Sequence, residues 1–338
     1  MVFTAVKMSL SYKWTEIICD SRPLERSSHE ISYIDINNKI FLFGGENIPR
    51  NPIDEGNNVY ILDIENKKWD CIATNGSPPI RLAHGQCVID NKVYIFGGRQ
   101  GVQMGEGALS DLYYYDIISN QWNGPIESKG GIVPEIRSFH KIIGIDKKIY
   151  VFGGCSAEGR LNDLHVLDTE TLIWKELPAC EAASGRGGPA LGVSKDLTKL
   201  ILATGYSGQE NDDIHIFDIN NSNWISRQKG QMRARSVAPH CTLCPNDTTN
   251  VLVIFGGEVN TSDRGHEGAG DFADDLVIID TETGIVLPCN NVGHCKPEAR
   301  GWTSMTKISN NKAILFGGLS GNDDNPIRRN DSWLLEII

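Results

Sequence analysis

The chain has 338 residues and a formal net charge of −11, from 32 Lys+Arg against 43 Asp+Glu. That balance argues against a general nucleic-acid binder, whose footprint is basic. No apolar run reaches the ~18 residues of a membrane helix, so no membrane partner is expected, and glycine, at 35 of 338, exceeds the usual ~7% and points to many tight turns.

In chain order, residues 1–10 read as a flexible N-terminus. Tyr12-Lys13-Trp14-Thr15-Glu16-Ile17 follows as a strand with no partner near it in sequence. From there one unit recurs. Arg26, Arg81, Arg137, Arg186, Arg235 and Arg300 open it, each followed by a short strand, A. A second strand, B, ends in Phe-Gly-Gly at 43–45, 96–98, 152–154, 255–257 and 316–318. The first glycines lie 53, 56, 103 and 61 residues apart, and Leu200 to Gly205 is a decayed copy within the double gap. A third strand, C, ends at Asp63, Asp116, Asp168, Asp218 or Asp280. After a polar turn, strand D carries Trp69, Trp122, Trp174 or Trp224, while the fifth copy has Ile285-Val286-Leu287. The alternation and β-branched content indicate strands, and the polar clusters indicate turns.

Six repeats of roughly fifty residues, four strands each, predict an all-β, six-bladed propeller of antiparallel sheets. Its blades fall approximately at 26–75, 81–128, 137–180, 186–229, 235–288 and 300–338. The last repeat has no strand D, so residues 11–18 are expected to complete it and remove an open edge. The result is a single domain over 11–338.

Antiparallel strands put the start of A and the end of B on one face. Arg81, Arg137, Arg186, Arg235 and Arg300, with Arg99 after its Gly-Gly, are therefore expected to ring the channel mouth. Two readings of them stand. They bind an anionic ligand or acidic peptide through forked donors, or they satisfy carbonyls between blades at every repeat. The B–C loops are long in blades one, two, five and six and short in three and four, which suggests a groove open towards the short ones. His29, His84 and His140 read as hydrogen-bonded core residues. Cys241-Thr-Leu-Cys244 reads as buried thiols. Nine scattered cysteines and no signal peptide indicate a reducing, cytoplasmic setting.

On Arg26-Ser27-Ser28-His29, Gly97-Gly98-Arg99, Arg137-Ser138-Phe139-His140, Arg186-Gly187-Gly188, Ala234-Arg235-Ser236-Val237, Gly256-Gly257-Glu258-Val259 and Arg300-Gly301-Trp302, the chain resembles kelch-repeat propellers. Among them it is most similar to the plant nitrile-specifier and epithiospecifier group and its non-plant relatives. The resemblance implies ferrous iron held by a Glu-x3-Asp-x3-His pattern, matched here by Glu258, Asp263 and His266. Ser262 stands at the Asp position and Asp263 follows it. It also implies a substrate contact at Arg99. Two functions follow: a binding or scaffold protein whose propeller face takes a protein partner or small anion, or an iron-dependent specifier-like enzyme acting on a sulfur-containing or anionic molecule.

Overall fold

The computed structural model describes residues 9–56, 58–101, 107–264, 268 and 270–338. Most of the expected flexible N-terminus lies outside the described residues. The rest is an all-β, six-bladed propeller. Blade one pairs Glu30–Ile34, Lys39–Phe43, Asn58–Asp63 and Lys68–Ala73 in that order. Blades two to five repeat the order from Gly85–Ile89, Lys141–Ile145, Ala190–Val193 and His240–Leu243. Strand A begins four or five residues after the repeat arginine in blades one to five, while in blade six Arg300–Gly301 is itself a short strand ahead of Ser304–Ser309. The arginine segment runs ahead of the strand as isolated bridges, such as Ser27 with Glu46 and Ser138 with Cys155.

Blade six is closed by both chain ends. Leu10–Ile17 pairs antiparallel with Asn325–Ile337, from Tyr12 opposite Ile337 to Ile17 opposite Ser332. Cys289–Asn291 then adds a parallel strand outside Leu10–Ile17.

The repeat residues have local reasons. The strand C aspartates turn the chain: each side chain accepts backbone N–H groups two or three residues on, as Asp116 does from Ile118 and Ser119 at 3.0 and 2.9 Å, an Asx turn. Those hydrogen bonds, with Ser119 first, hold the Asp116 carboxyl below its ordinary value. The Gly-Gly pair is dictated by close approach. Gly44 and Gly45 have φ of +67° and +105°, and a Cβ on Gly44 would stand 2.6 Å from the Arg81 carbonyl.

Six apolar clusters fill the six junctions between blades. At five of them a strand D tryptophan packs on the Phe of the preceding blade's Phe-Gly-Gly. The pairs are Trp14–Phe255, Trp69–Phe316, Trp122–Phe43, Trp174–Phe96 and Trp224–Phe152, with ring centroids 4.8–6.0 Å apart. The junction of blades four and five lacks both members. Ala203 replaces Phe and Val286 replaces Trp, and aliphatic residues such as Ile201, Leu252 and Ile254 fill the space.

Around the channel neck the blades are locked by a closed ring of backbone hydrogen bonds. The N–H of Ser28 donates to Trp302, Trp302 to Val237, Val237 to Gly188, Gly188 to Phe139, Phe139 to Ala83 and Ala83 back to Ser28, at 2.6–2.9 Å. All six residues have φ between +44° and +60°. Five are not glycine, so the ring holds strained backbone. Below it the channel opens into a polar chamber of about 620 Å³, crossed by a Glu30–Lys141 ion pair at 2.6 Å.

Candidate functional site

The repeat arginines are buried, and their carboxylate partners explain why. Arg137 Nη1 and Nη2 fork onto Asp163 at 2.9 and 2.7 Å, Nη1 also reaches the Gly153 carbonyl at 3.0 Å, and Nε reaches Glu135 at 3.1 Å. Arg81 does the same with Asp111, Arg186 with Asp213, Arg235 with Asp275 and Arg300 with Asp331. Arg26 uses Glu55. Each guanidinium is 0–1% exposed. The expected collar of Arg81, Arg137, Arg186, Arg235 and Arg300 is therefore corrected. These arginines hold the B–C corner of each blade, and of the two readings the interior one describes their geometry. The signal was present in the sequence as an Asp at the head of the apolar run of strand C, at Asp111, Asp163, Asp213, Asp275 and Asp331. Burial works to raise the Asp163 carboxyl, but hydrogen bonds from His165 and Arg137, and their charges, hold it well below the usual range.

The histidines fit the core reading in part. His29 Nε2 meets the Phe316 carbonyl at 3.0 Å, and His29, His84 and His140 each lie edge-on to the preceding blade's Phe. Burial, then the adjacent arginine, pushes all three below the ordinary histidine value, His84 to about 3. Cys241 and Cys244 are free, buried thiols.

The position after Arg and the position after Gly-Gly do meet on one face, as Leu82 pairs with Arg99 and Gly187 with Tyr206. There a cavity of about 190 Å³ opens above blades three to five, lined by Phe139, Cys155, Arg160, Gly187, Tyr206, Ser236, Val237, Glu258, Thr261 and Trp302. Arg50, from the B–C loop of blade one, reaches across the ring and lies between Phe139 and Trp302, 4.9 and 4.7 Å from their ring centroids. Its backbone N–H and guanidinium both turn to Glu46. Glu46 also accepts from Ser28 Oγ at 2.7 Å. Arg160 stacks 4.6 Å over Tyr206, and Arg328 donates to Ser27 Oγ at 3.1 Å. The charges of Arg160, Arg50 and Arg99 all act on Cys155, and that of Arg50 acts on Arg328. Arg160 lines the cavity and Arg50 lies against two of its walls, whereas Arg99, the one member of the sequence-derived set whose charge reaches Cys155, is itself 1% exposed with Nε on the Gly101 carbonyl at 2.8 Å. Arg50, Arg160 and Arg328 occur once each in unlike loops, so no repeat marks them.

Glu258 lines the same cavity. Burial and then the charge of Glu210 push its carboxyl up to about 8, against the pull of Arg50. Of the other residues matched to iron, Asp263 is exposed and His266 lies outside the described residues. Ser262 is buried, and its hydroxyl accepts the Arg264 N–H. Among the described residues no three His, Cys, Asp or Glu side chains form a metal-binding group.

A family model for the KLHDC2/KLHL20/DRC7 Kelch-repeats domain matches residues 4–131 and 55–243. The chain belongs to the kelch-repeat family. An N-(sulfonatooxy)prop-2-enimidothioate sulfolyase of Thlaspi arvense is 28% identical over 324 residues, 88% of each chain. Kelch domain-containing protein 3 of Bos taurus is 27% identical, over 85% of this chain and 77% of that protein. The solved structure of YjhT superposes with a TM-score of 0.68 at 17% identity, covering 94% of this chain and 99% of that one. It shares the propeller fold. Among the described residues no helix is long and apolar enough to cross a membrane.

Proposed function

We propose that this kelch propeller is a binding module whose mouth cavity takes an anionic group, from a small molecule or an acidic peptide of a protein partner. The supporting observation is that Arg160 lines a concave site walled by Phe139, Tyr206, Val237 and Trp302, that Arg50 lies between two of those walls, and that the charges of both act on Cys155 in the same cavity. Forked donors suit carboxylate, sulfate or phosphate, and the aromatic walls suit an apolar body beside the anion. Titration calorimetry with sulfate, phosphate and an acidic peptide tests this. Binding is expected to weaken with salt and to fall roughly tenfold or more in Arg160→Ala, a loss of about 1.4 kcal/mol. Unchanged affinity in that variant, or anions bound only on the opposite face, defeats the proposal.

A second reading is lyase chemistry on a sulfated thioimidate. It is favoured by the sulfolyase relative, which matches 88% of each chain. It requires turnover of such a substrate, and its iron-dependent form requires ferrous iron binding that is lost in Glu258→Ala. The binding reading is the conclusion because the mouth cavity supports it directly, whereas the third residue matched to iron, His266, lies outside the described residues.

A further inference from the structure

Cys155 stands apart from the other cysteines. It ends strand Lys148–Cys155, opposite Arg160 across the hairpin, and it is half-buried at the mouth cavity. Cys71 and Cys295 are exposed, Cys19, Cys87, Cys180, Cys241 and Cys244 are buried, and the other half-buried thiol, Cys289, donates to the Leu276 carbonyl at 3.3 Å and does not line the cavity. The Cys155 sulfur faces Gly187 of the next blade. A Cβ on Gly187 would lie 2.8 Å from Sγ, so the missing side chain leaves the sulfur room on the cavity side. Three arginine charges act on it, from Arg160, Arg50 and Arg99 in blades three, one and two. Ser236 lines the same cavity. Its Oγ is buried, 1% exposed as a residue, and has no hydrogen-bond partner among the described residues. A buried hydroxyl without a partner is a donor waiting for an acceptor.

We propose that Cys155 is a site of mixed-disulfide formation with small, carboxylate-bearing disulfides, which the mouth arginines select by charge. The inference rests on the anion-binding reading of the same cavity. In the exchange, Cys155 gives up its proton and its sulfur attacks one sulfur of the incoming disulfide. The new S–S bond forms as the old one breaks, and the departing thiolate takes up a proton. One disulfide replaces another, and no further oxidant is consumed. Burial holds the Cys155 thiol above its ordinary value while the three arginines pull it down. Selection therefore comes from charge recognition rather than from an unusually acidic thiol, and labelling speeds up as pH rises. A carboxylate left in the cavity would occupy the arginines, so thiolation closes the site to other anions.

Two disulfides of similar size and opposite charge provide the test: dithiodiglycolate and cystamine, read by peptide mass spectrometry. At low salt, Cys155 is expected to take dithiodiglycolate roughly tenfold or more in preference to cystamine, within the range by which a charged cleft concentrates a counter-ion. Exposed Cys71 and Cys295 serve as internal references and are expected to show no such preference. The preference at Cys155 should collapse in Arg160→Ala, and in Arg160→Gln should the first variant fold poorly. Equal labelling by the two reagents, or no labelling of Cys155, overturns the proposal. Sulfate titration of Cys155→Ser separates the failures. If sulfate still binds there while the charge preference is absent, only this inference falls. If sulfate fails to bind as well, the mouth reading falls with it.

Discussion

Arginine has two roles in this molecule, and its neighbours decide which. Arg137 has a forked carboxylate and two carbonyls within 3.1 Å, buried at the corner of its blade. Arg160 lies half-buried on a tyrosine face at the mouth. Truncating the first strands Asp163 and the Gly153 carbonyl, whereas truncating the second strands nothing in the core. Arg137→Ala is therefore expected to cost about 3–5 kcal/mol, the range for removing one partner of a buried pair. Arg160→Ala should leave denaturant melts near wild type, and equal midpoints for the two variants would refute the division of roles. The neck ring gives a second residue-scale test. Gly188 has φ +60°, and a Cβ there would meet Val237 Cγ1 at 2.5 Å, so Gly188→Ala should destabilise. Ala83 holds φ +52° with a small side chain to lose. The reverse change, Ala83→Gly, should be neutral or stabilising, because left-handed backbone costs an L-residue about 1–2 kcal/mol. A lower melting temperature for Gly188→Ala and an equal or higher one for Ala83→Gly are the expected outcome.

Elements are held to their neighbours by one aromatic pair per junction. Trp122 packs against Phe43 of the preceding blade and donates Nε1–H to Thr74 Oγ1 at 3.0 Å. Trp122→Ala should cost roughly 3–5 kcal/mol, the range for a buried aromatic, without changing anion affinity at the mouth. Wild-type stability in denaturant would show that the junction does not depend on the pair. Deleting residues 1–18 should be worse than trimming a tail. It removes the outer strand of blade six, Trp14 with its contact to Phe255, and the support for Cys289–Asn291. The exposed edge of Asn325–Ile337 would then invite association, so a truncated protein that stays monomeric with an unchanged melt counts against strand closure. These elements were legible because their signals recur: Arg, Phe-Gly-Gly, Asp and Trp return in register six times or nearly so. Even the paired decay at Ala203 and Val286 was visible, though only the fold shows that both face one junction. The mouth was legible as a face but not as a residue set. A repeat can report what every blade needs, and Arg50, Arg160, Arg328 and Trp302 are what single blades add. The repeat arginines carried two readings in the sequence, and only the carboxylate paired with each of them in the fold distinguishes a shared structural device from a feature of one face.

At the scale of the whole molecule, the same burial that seals the ring makes it sensitive to acid. His29, His84 and His140 lie inside the propeller with depressed proton affinity, caused first by burial and then by Arg26, Arg81 and Arg137 respectively. His240 in the channel is likewise pushed down to about 3, by burial and then Lys141. The unfolded chain binds a proton at each near pH 6.5, while the folded chain resists until far lower pH. Below about 6.5 the unfolded state therefore holds more protons, and stability falls as pH falls. The contribution is complete above 6.5 and is drained on the way down to about 3 for His84 and His240. The carboxylates of the corner pairs act later. Asp163, Asp213, Asp275 and Asp331 are depressed below the ordinary Asp value, so their share is present above about 4 and is lost only in stronger acid. Denaturant midpoints measured from pH 8 to pH 4 should thus decline mainly below 6.5, before the corner carboxylates begin to titrate. Replacing His84 by Gln, which cannot charge, should flatten that decline in proportion to one histidine, even if it lowers stability at pH 8. A wild-type midpoint that is constant from pH 7 to pH 4.5 would mean that these rings find protons or partners in the folded state, and the sealed-core account of the neck would fail.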